Sequence, residues 1–355
     1  MKESPTATTL GDQERFWANH QPFLESCGYM LRRRYRPGWI PDVLAGKSVL
    51  HCEDSLGTSA QVLDATRISD GAPVVLKIVA TFSPDTRTSW FLTNEPGAEH
   101  HAVPCLELIP FSVSEHLAFM VMPRMRECCD PPWFATVREF VEFAQQVLEG
   151  LVYLHSKNIA HRDICTRNIV VDPSTMIPGG SHFLVPWRAS DGITCLTHFE
   201  EGHTDKPYMK SRTQAGPLKY YFIDFGLSVQ FRSFEERELV IGEFGRLRKD
   251  IPEISGTVPY DPFKVDVRLV GEMMLHEFLR LYDGLNIIIP FVRKLRREDP
   301  ARRPDAAAAL ELFKALISKM TDKELDRPIR RAWRSWEGSR QNIVLFLRGL
   351  GLSCG

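Results

Sequence analysis

The sequence predicts an α+β protein of two lobes, a small β-rich amino-terminal lobe followed by a larger, mainly helical one. Three observations carry that expectation. The 355 residues, at about 150 per domain, suffice for two domains or one large two-lobed unit. Between about 48 and 125, the short β-like runs QVLDATRI, APVVLKIVA and LAFMVM are separated by Gly, Pro and Asp. From Thr136 onward the apolar residues recur at three and four instead.

In chain order, residues 1–47 form an amino-terminal extension rich in aromatics (Phe16, Trp17, Phe23, Tyr29, Tyr35, Trp39). The aromatics predict a segment packed on the lobe that follows, with the basic run Arg32, Arg33, Arg34, Arg36 as a solvated face. Residues 48–125 are the β-rich lobe and 126–320 the helical lobe. In the latter, Val137, Phe140, Val141, Ala144, Val147, Leu148, Leu151 and Leu154 share one face of a long helix, opened by the capping pattern of Thr136 and Glu139. Two β-like runs, NIVVD and KYYFID, come next, then helical patterns around 265–283 and 304–320. Residues 321–355 are expected to be a helical carboxy-terminal extension.

Composition excludes several classes. Forty-four basic against 45 acidic residues leave a formal net charge of −1, so no global field draws the chain to nucleic acid or to an anionic membrane surface. No apolar run approaches the roughly 20 residues of a membrane span. Eight Cys without a CxxC pair fit a reducing compartment, cytoplasmic or nuclear. Oligomeric state is not written here.

The sharpest string is His161-Arg162-Asp163-Ile164-Cys165-Thr166-Arg167-Asn168, followed by Ile169, Val170 and Val171. Its four residues at fixed offsets, His161, Arg162, Asp163 and Asn168, arise by chance in about one chain in a thousand. Downstream, Asp224-Phe225-Gly226 ends an aromatic-rich strand. Upstream, Val75-Leu76-Lys77 sets an ammonium in an apolar strand, where it needs an anionic partner.

These three strings, in this order, resemble the eukaryotic protein kinase family. Ser55-Leu56-Gly57-Thr58-Ser59-Ala60-Gln61-Val62 is similar to its glycine-rich loop, and Phe119 to Met125 to its adenine-holding strand and hinge. Pro252-Glu253 looks like the end of an activation segment, and Pro259-Tyr260-Asp261 leads to Val265–Gly271, similar to the buried central helix. Asp299-Pro300-Ala301-Arg302-Arg303-Pro304 looks like the late motif whose Arg pairs with that Glu. The likeness covers about 48–320, and the whole chain looks most like the kinase-like proteins of mushroom-forming fungi.

The resemblance implies ATP and Mg²⁺ as cofactors, a protein substrate, and a two-lobed kinase-like fold. It implies a catalytic set of Asp163, Lys77, Asn168 and Arg167. Asp163 orients the attacking hydroxyl, Lys77 clamps phosphates, and Asn168 and Asp224 present oxygens to Mg²⁺, a hard cation. Around the nucleotide it places Ser55, Gly57, Ala60, Val62, Met122 and Met125, with Glu95 as the partner of Lys77 and Glu99 as second choice. Cys165 stands where serine/threonine kinases usually have Lys, and Arg167 where many tyrosine kinases have Arg, so the acceptor hydroxyl stays open.

Three departures accompany the match. Only the middle Gly of the glycine loop is present. Between Asn168 and Asp224 lie 55 residues where the family has roughly a dozen. The extra piece, about 173–217, is expected to be a dispensable surface insertion, not the metal site that Cys195, His198 and His203 could suggest. From Phe234 to Glu253 there is no Ser, Thr or Tyr, and one of Glu235, Glu236, Glu238 and Glu243 is expected to pair permanently with Arg162. The leading expectation is transfer of the γ-phosphoryl group of Mg-ATP to a protein hydroxyl; the rival is a pseudokinase that binds nucleotide or acts as a scaffold.

Overall fold

The computed structural model describes residues 6–57, 61–95, 101–111, 114–198, 208–242 and 251–331. The chain opens with α1 (Asp12–Ser26), whose first turn is closed by the Glu14 carboxylate accepting from the Gly11 amide at 3.1 Å. β1 (Tyr29–Leu31) follows, then β2 (Val62–Arg67), β3 (Pro73–Ala80), α2 (Pro84–Asn94), β4 (Glu107–Phe111) and β5 (Ser114–Pro123). The five strands form one antiparallel sheet in the order β1-β2-β3-β5-β4. Trp17 and Leu24 of α1 pack on it against Leu31, Leu63, Leu76, Phe119 and Val121. Alternation explains this: in β1, Tyr29 and Leu31 face the core and Met30 does not.

The edge strand thus comes from the amino-terminal extension, and residues 32–61 join it to β2 through 3-10 turns at Arg33–Tyr35, Asp42–Ala45, Val49–His51 and Glu53–Ser55. Here the expected solvated basic face is corrected in part: Arg33 and Arg36 are exposed, but Arg32 and Arg34 are not. Arg34 is fully buried, donating to both Glu14 oxygens at 2.8 Å and to the carbonyls of Thr6, Thr9 and Asp54. Each of the three guanidinium nitrogens finds an acceptor, the condition under which a buried guanidinium is tolerated.

The helical lobe begins with β6 (Arg126–Glu127) and α3 (Val137–Ser156), then β7 (Ile159–Ala160) and β8 (Ile169–Val171). All eight apolar positions expected on one face of α3 are buried. The Thr136 hydroxyl accepts from the Glu139 amide at 3.3 Å. Next come β9 (Thr197–His198), β10 (Tyr208–Met209), α4 (Arg212–Ala215), β11 (Tyr220–Phe222), β12 (Val229–Gln230), α5 (Pro262–Met273) and β13 (Tyr282–Asp283). The lobe closes with α6 (Ile289–Leu295), α7 (Ala306–Ile317), α8 (Asp322–Leu325) and β14 (Arg330–Arg331). Of the expected carboxy-terminal helical extension, the described part holds only α8 and β14; the remainder lies outside the described residues. Among the described residues no helix is long and apolar enough to cross a membrane.

The insertion departs from expectation. Met176, Ile177, Ala189, Leu196 and Met209 join the main hydrophobic core of the helical lobe. Arg212 is buried, donating to the carbonyls of Cys128 at 2.6 Å and Pro132 at 3.0 Å and to the Tyr220 hydroxyl at 2.8 Å, with its guanidinium 4.0 Å from the Phe134 ring centre. The described parts of this segment, 173–198 and 208–217, are structural parts of the lobe, because several of their apolar side chains and the Arg212 cation are buried in it.

Candidate active site

β8 and β11 pair antiparallel with Ile169 opposite Phe222, so Asn168 and Asp224 emerge at the same end of the pair. The Ile223 amide donates to the Asn168 carbonyl at 3.0 Å. Below them, Asp266 of α5, fully buried, accepts from the amides of His161 at 2.8 Å and Arg162 at 2.7 Å, and lies 3.0 Å from His155 Nε2. This bolts the loop at 161–168 to α5. His161 is a packed core residue, its Nε2 3.1 Å from the Ile223 carbonyl and its ring against Phe222 and Phe225. Arg162 and Asp224 have φ of 67° and 65°, left-handed conformations costing about 1–3 kcal/mol each that the surrounding bonds must sustain.

On this frame the chemistry-bearing groups meet. Asn168 Nδ2 donates to the Asp163 carbonyl at 2.8 Å and to Asp163 Oδ2 at 3.1 Å, orienting that carboxylate. From β3, Lys77 Nζ reaches Asp85 Oδ2 at 2.6 Å and Asp224 Oδ1 at 2.9 Å. Burial alone would lower the Lys77 ammonium, but Asp85 and Asp224 outweigh it and raise it above its ordinary value. Asp224 mirrors this: burial would raise its carboxyl, and Lys77 holds it below the usual range. Asp85 Oδ1 also accepts from the Phe225 amide at 2.9 Å, so one carboxylate joins Lys77 to the segment after Asp224.

The expected Lys77–Glu95 pair is corrected. Glu95 stands just past the end of α2, where it bonds Lys157 at 2.8 Å. The helix starts at Pro84, capped by the Ser83 hydroxyl, so the acid that faces β3 is in its first turn. The string Ser83-Pro84-Asp85 was the legible signal. Glu99 lies outside the described residues.

A cleft of about 550 Å³ lies between the lobes. Val62, Val75, Met120, Met122 and Met125 give it apolar walls over Val170; Lys77, Asp85, Asn168 and Asp224 form its polar end, with Arg167 at the rim. An apolar slot opening on an ammonium suits a flat base carrying phosphates. An amide and a carboxylate oxygen donor beside each other suit Mg²⁺.

Of the glycine-loop string, Val62 lines the cleft, and Ser55 and Gly57 do not. Ser55 is buried in the 3-10 turn Glu53–Ser55, its hydroxyl donating to the carbonyls of Val49 at 2.9 Å and Cys52 at 2.7 Å. Neither it nor Gly57 sits at the tip of a hairpin, because the strand paired with β2 on that side is β1, far upstream. Apolar register selects the pairing, and the long connection costs little extra closure entropy. Ala60 lies outside the described residues. In their place the insertion enters the lining with Ser181, His182, Phe183, Leu184 and Pro186. The dense apolar run Phe183-Leu184-Val185-Pro186-Trp187, unlike a solvated loop, was the available signal.

Arg162 is also differently held. Among the described residues its guanidinium has no carboxylate partner; it donates to the Tyr260 hydroxyl at 2.9 Å and to the carbonyls of Leu227 and Ile241 at 3.3 Å. Glu243 lies outside the described residues. Nearby, Arg303, buried, pairs with Glu253, Nη2 to Oε2 at 3.0 Å, which is the late-motif pairing that the resemblance implies.

A family model for protein tyrosine and serine/threonine kinases matches residues 100–178. Among curated proteins, the chain is similar to the mitogen-activated protein kinase kinase kinase YODA of Arabidopsis thaliana, 61% identical over 31 residues, which are 9% of this chain and 4% of that protein. It is also similar to protein-tyrosine kinase 6 of Mus musculus, 43% identical over 44 residues, 12% of this chain and 10% of that one. The chain therefore matches no more than a tenth of the length of these relatives.

Proposed function

As this chain belongs to the eukaryotic protein kinase family and has its two-lobed α+β fold, we propose that it is an active protein kinase, transferring the γ-phosphoryl group of Mg-ATP to a Ser/Thr or Tyr hydroxyl of a protein. The observation that carries this reading is the convergence of Lys77, Asp85, Asn168 and Asp224 on one cleft, with Asp163 held next to its lining by the bond from Asn168. When bound, Mg-ATP would supply the transferable phosphoryl, with Asn168 and Asp224 holding the ion. Lys77 exchanges Asp224 for phosphate oxygens and keeps Asp85, so its charge stays aimed into the cleft. Asp163, fixed by Asn168, aligns the substrate hydroxyl and takes its proton. Arg167 at the rim adds positive charge beside the transferring group. The free thiols among the described residues support a reducing cytoplasmic or nuclear setting.

A second reading, a nucleotide-binding pseudokinase, is favoured by one observation: among the described residues, Ser181–Leu184 and Pro186 line the cleft and no glycine does. Purified protein with γ-labelled ATP, Mg²⁺ and generic Ser/Thr and Tyr peptides separates the two. Transfer that Asp163→Asn abolishes while ATP binding persists supports the kinase. Wild-type binding without transfer supports the pseudokinase.

A further inference from the structure

The insertion leaves the helical lobe between β8 and β11, yet it makes contact with the other lobe. His182, 3% exposed, has its Nε2 3.2 Å from Glu53 Oε1 and 3.5 Å from Arg32 Nη1. Arg32 ties this point to the sheet, donating to the Leu56 carbonyl at 2.9 Å and pairing with Asp64 of β2 at 3.1 Å. Burial would raise the Glu53 carboxyl, but His182 and Arg32 hold it below the usual range. Gly192, at φ +68°, packs so closely there that a Cβ would lie 3.0 Å from Glu53 Cγ and 3.3 Å from Leu56 Cδ1. At the near end of the segment, the Ser181 hydroxyl accepts from Arg126 Nη1 of β6 at 3.0 Å.

Directly after Ser181 and His182, and before Gly192, Phe183, Leu184 and Pro186 line the cleft. We propose that residues 181–186 are a wall of the nucleotide site supplied by the insertion, and that the His182–Glu53 contact clamps this wall to the amino-terminal lobe, replacing the cover of a glycine hairpin. The inference rests on the nucleotide reading of the cleft. Its consequence is kinetic. Nucleotide release needs the two lobes to part, and here parting them breaks the His182–Glu53 bond and unseats Gly192 from Leu56. The clamp therefore sets the rate of nucleotide dissociation, and Leu184 contributes to affinity by contact.

The test uses the full chain and a fluorescent ADP, with dissociation followed by stopped flow. His182→Ala removes the bond and is expected to speed release about tenfold, as for loss of a hydrogen bond to a charged group; Glu53→Gln keeps an acceptor but loses the charge that His182 and Arg32, the latter at 3.2 Å, both face, and should speed release several-fold. The double variant should fall well short of the product of the two single effects, because both act on the same contact. Leu184→Ala should raise the dissociation constant several-fold. Glu53→Gln preserves shape, so a correctly folded variant is available even where His182→Ala is unstable. Off-rates within twofold of wild type in folded variants, with normal nucleotide binding, overturn the clamp and leave the proposed function standing. Failure of the wild type to bind the nucleotide overturns the proposed function itself. Hydrogen exchange separates the two independently: loss of amide protection in 53–56 and 181–192 on either substitution is expected of the clamp, and unchanged protection refutes it.

Discussion

Replacing Asp85 by Ala removes two contacts at once, the ion pair to Lys77 at 2.6 Å and the acceptor of the Phe225 amide at 2.9 Å. The side chains of Lys77 and Asp85 are 20% and 8% exposed, so water substitutes poorly for either. Stripping one partner from a buried pair costs about 3–5 kcal/mol, but Asp224, 2.9 Å from the same ammonium, keeps Lys77 paired. The charge loss is then about 2 kcal/mol, and the orphaned amide adds about 1 kcal/mol. A total of about 3 kcal/mol corresponds to a fall of roughly 150-fold in kcat/KM for ATP. Asp85→Asn keeps an acceptor for Phe225 and loses only the charge, so it should fall about thirtyfold. Glu95→Ala should change the rate less than threefold, because Glu95 bonds Lys157 at a partly exposed site. Initial-rate kinetics across ATP concentration measure all three. The reasoning is refuted by an Asp85→Ala rate within threefold of the parent, or by a Glu95→Ala loss as large as that of Asp85→Ala.

Arg212→Met should lower stability by at least about 3 kcal/mol, read as a fall in melting temperature, since it strands the buried acceptors of Cys128, Pro132 and Tyr220; soluble, folded protein after excision of 173–217 would contradict this. The Lys77–Asp224 contact should give stability two pH limbs. The Lys77 contribution is complete below the ordinary value of 10.5 and is lost as pH rises through its raised folded value. That of Asp224 is complete above 3.8 and is lost as pH falls through its lowered one. Urea midpoints measured against pH should flatten at both ends in Lys77→Met. Because Arg162 sits on the Tyr260 hydroxyl, which itself donates to the Gly242 carbonyl at 2.9 Å, phosphatase treatment should leave activity unchanged, whereas Tyr260→Phe should reduce kcat about tenfold. A large loss on dephosphorylation would overturn that assignment.

Local and periodic features were determined by the sequence alone. The buried face of α3, the sheet strands around Lys77, and the string from His161 to Asn168 were legible because each is specified within a few residues by side-chain period or fixed spacing. The Glu253–Arg303 pairing followed from the family resemblance. What joins distant parts was decided by the tertiary structure. Two acids, Asp85 and Glu95, lie on or just past the helix after Lys77, and only the place where Ser83 caps that helix decides which one reaches the ammonium. Tyr29–Leu31 is a strand of the sheet because β2 offers it a register that buries two side chains, and thirty intervening residues weigh little against that burial. Arg34 is an ordinary surface cation until Glu14 and three carbonyls surround it, and the insertion is an ordinary loop until its apolar run meets the cleft and Glu53. In each case the deciding free energy comes from burial and pairing between segments far apart in sequence, and no local window contains both partners.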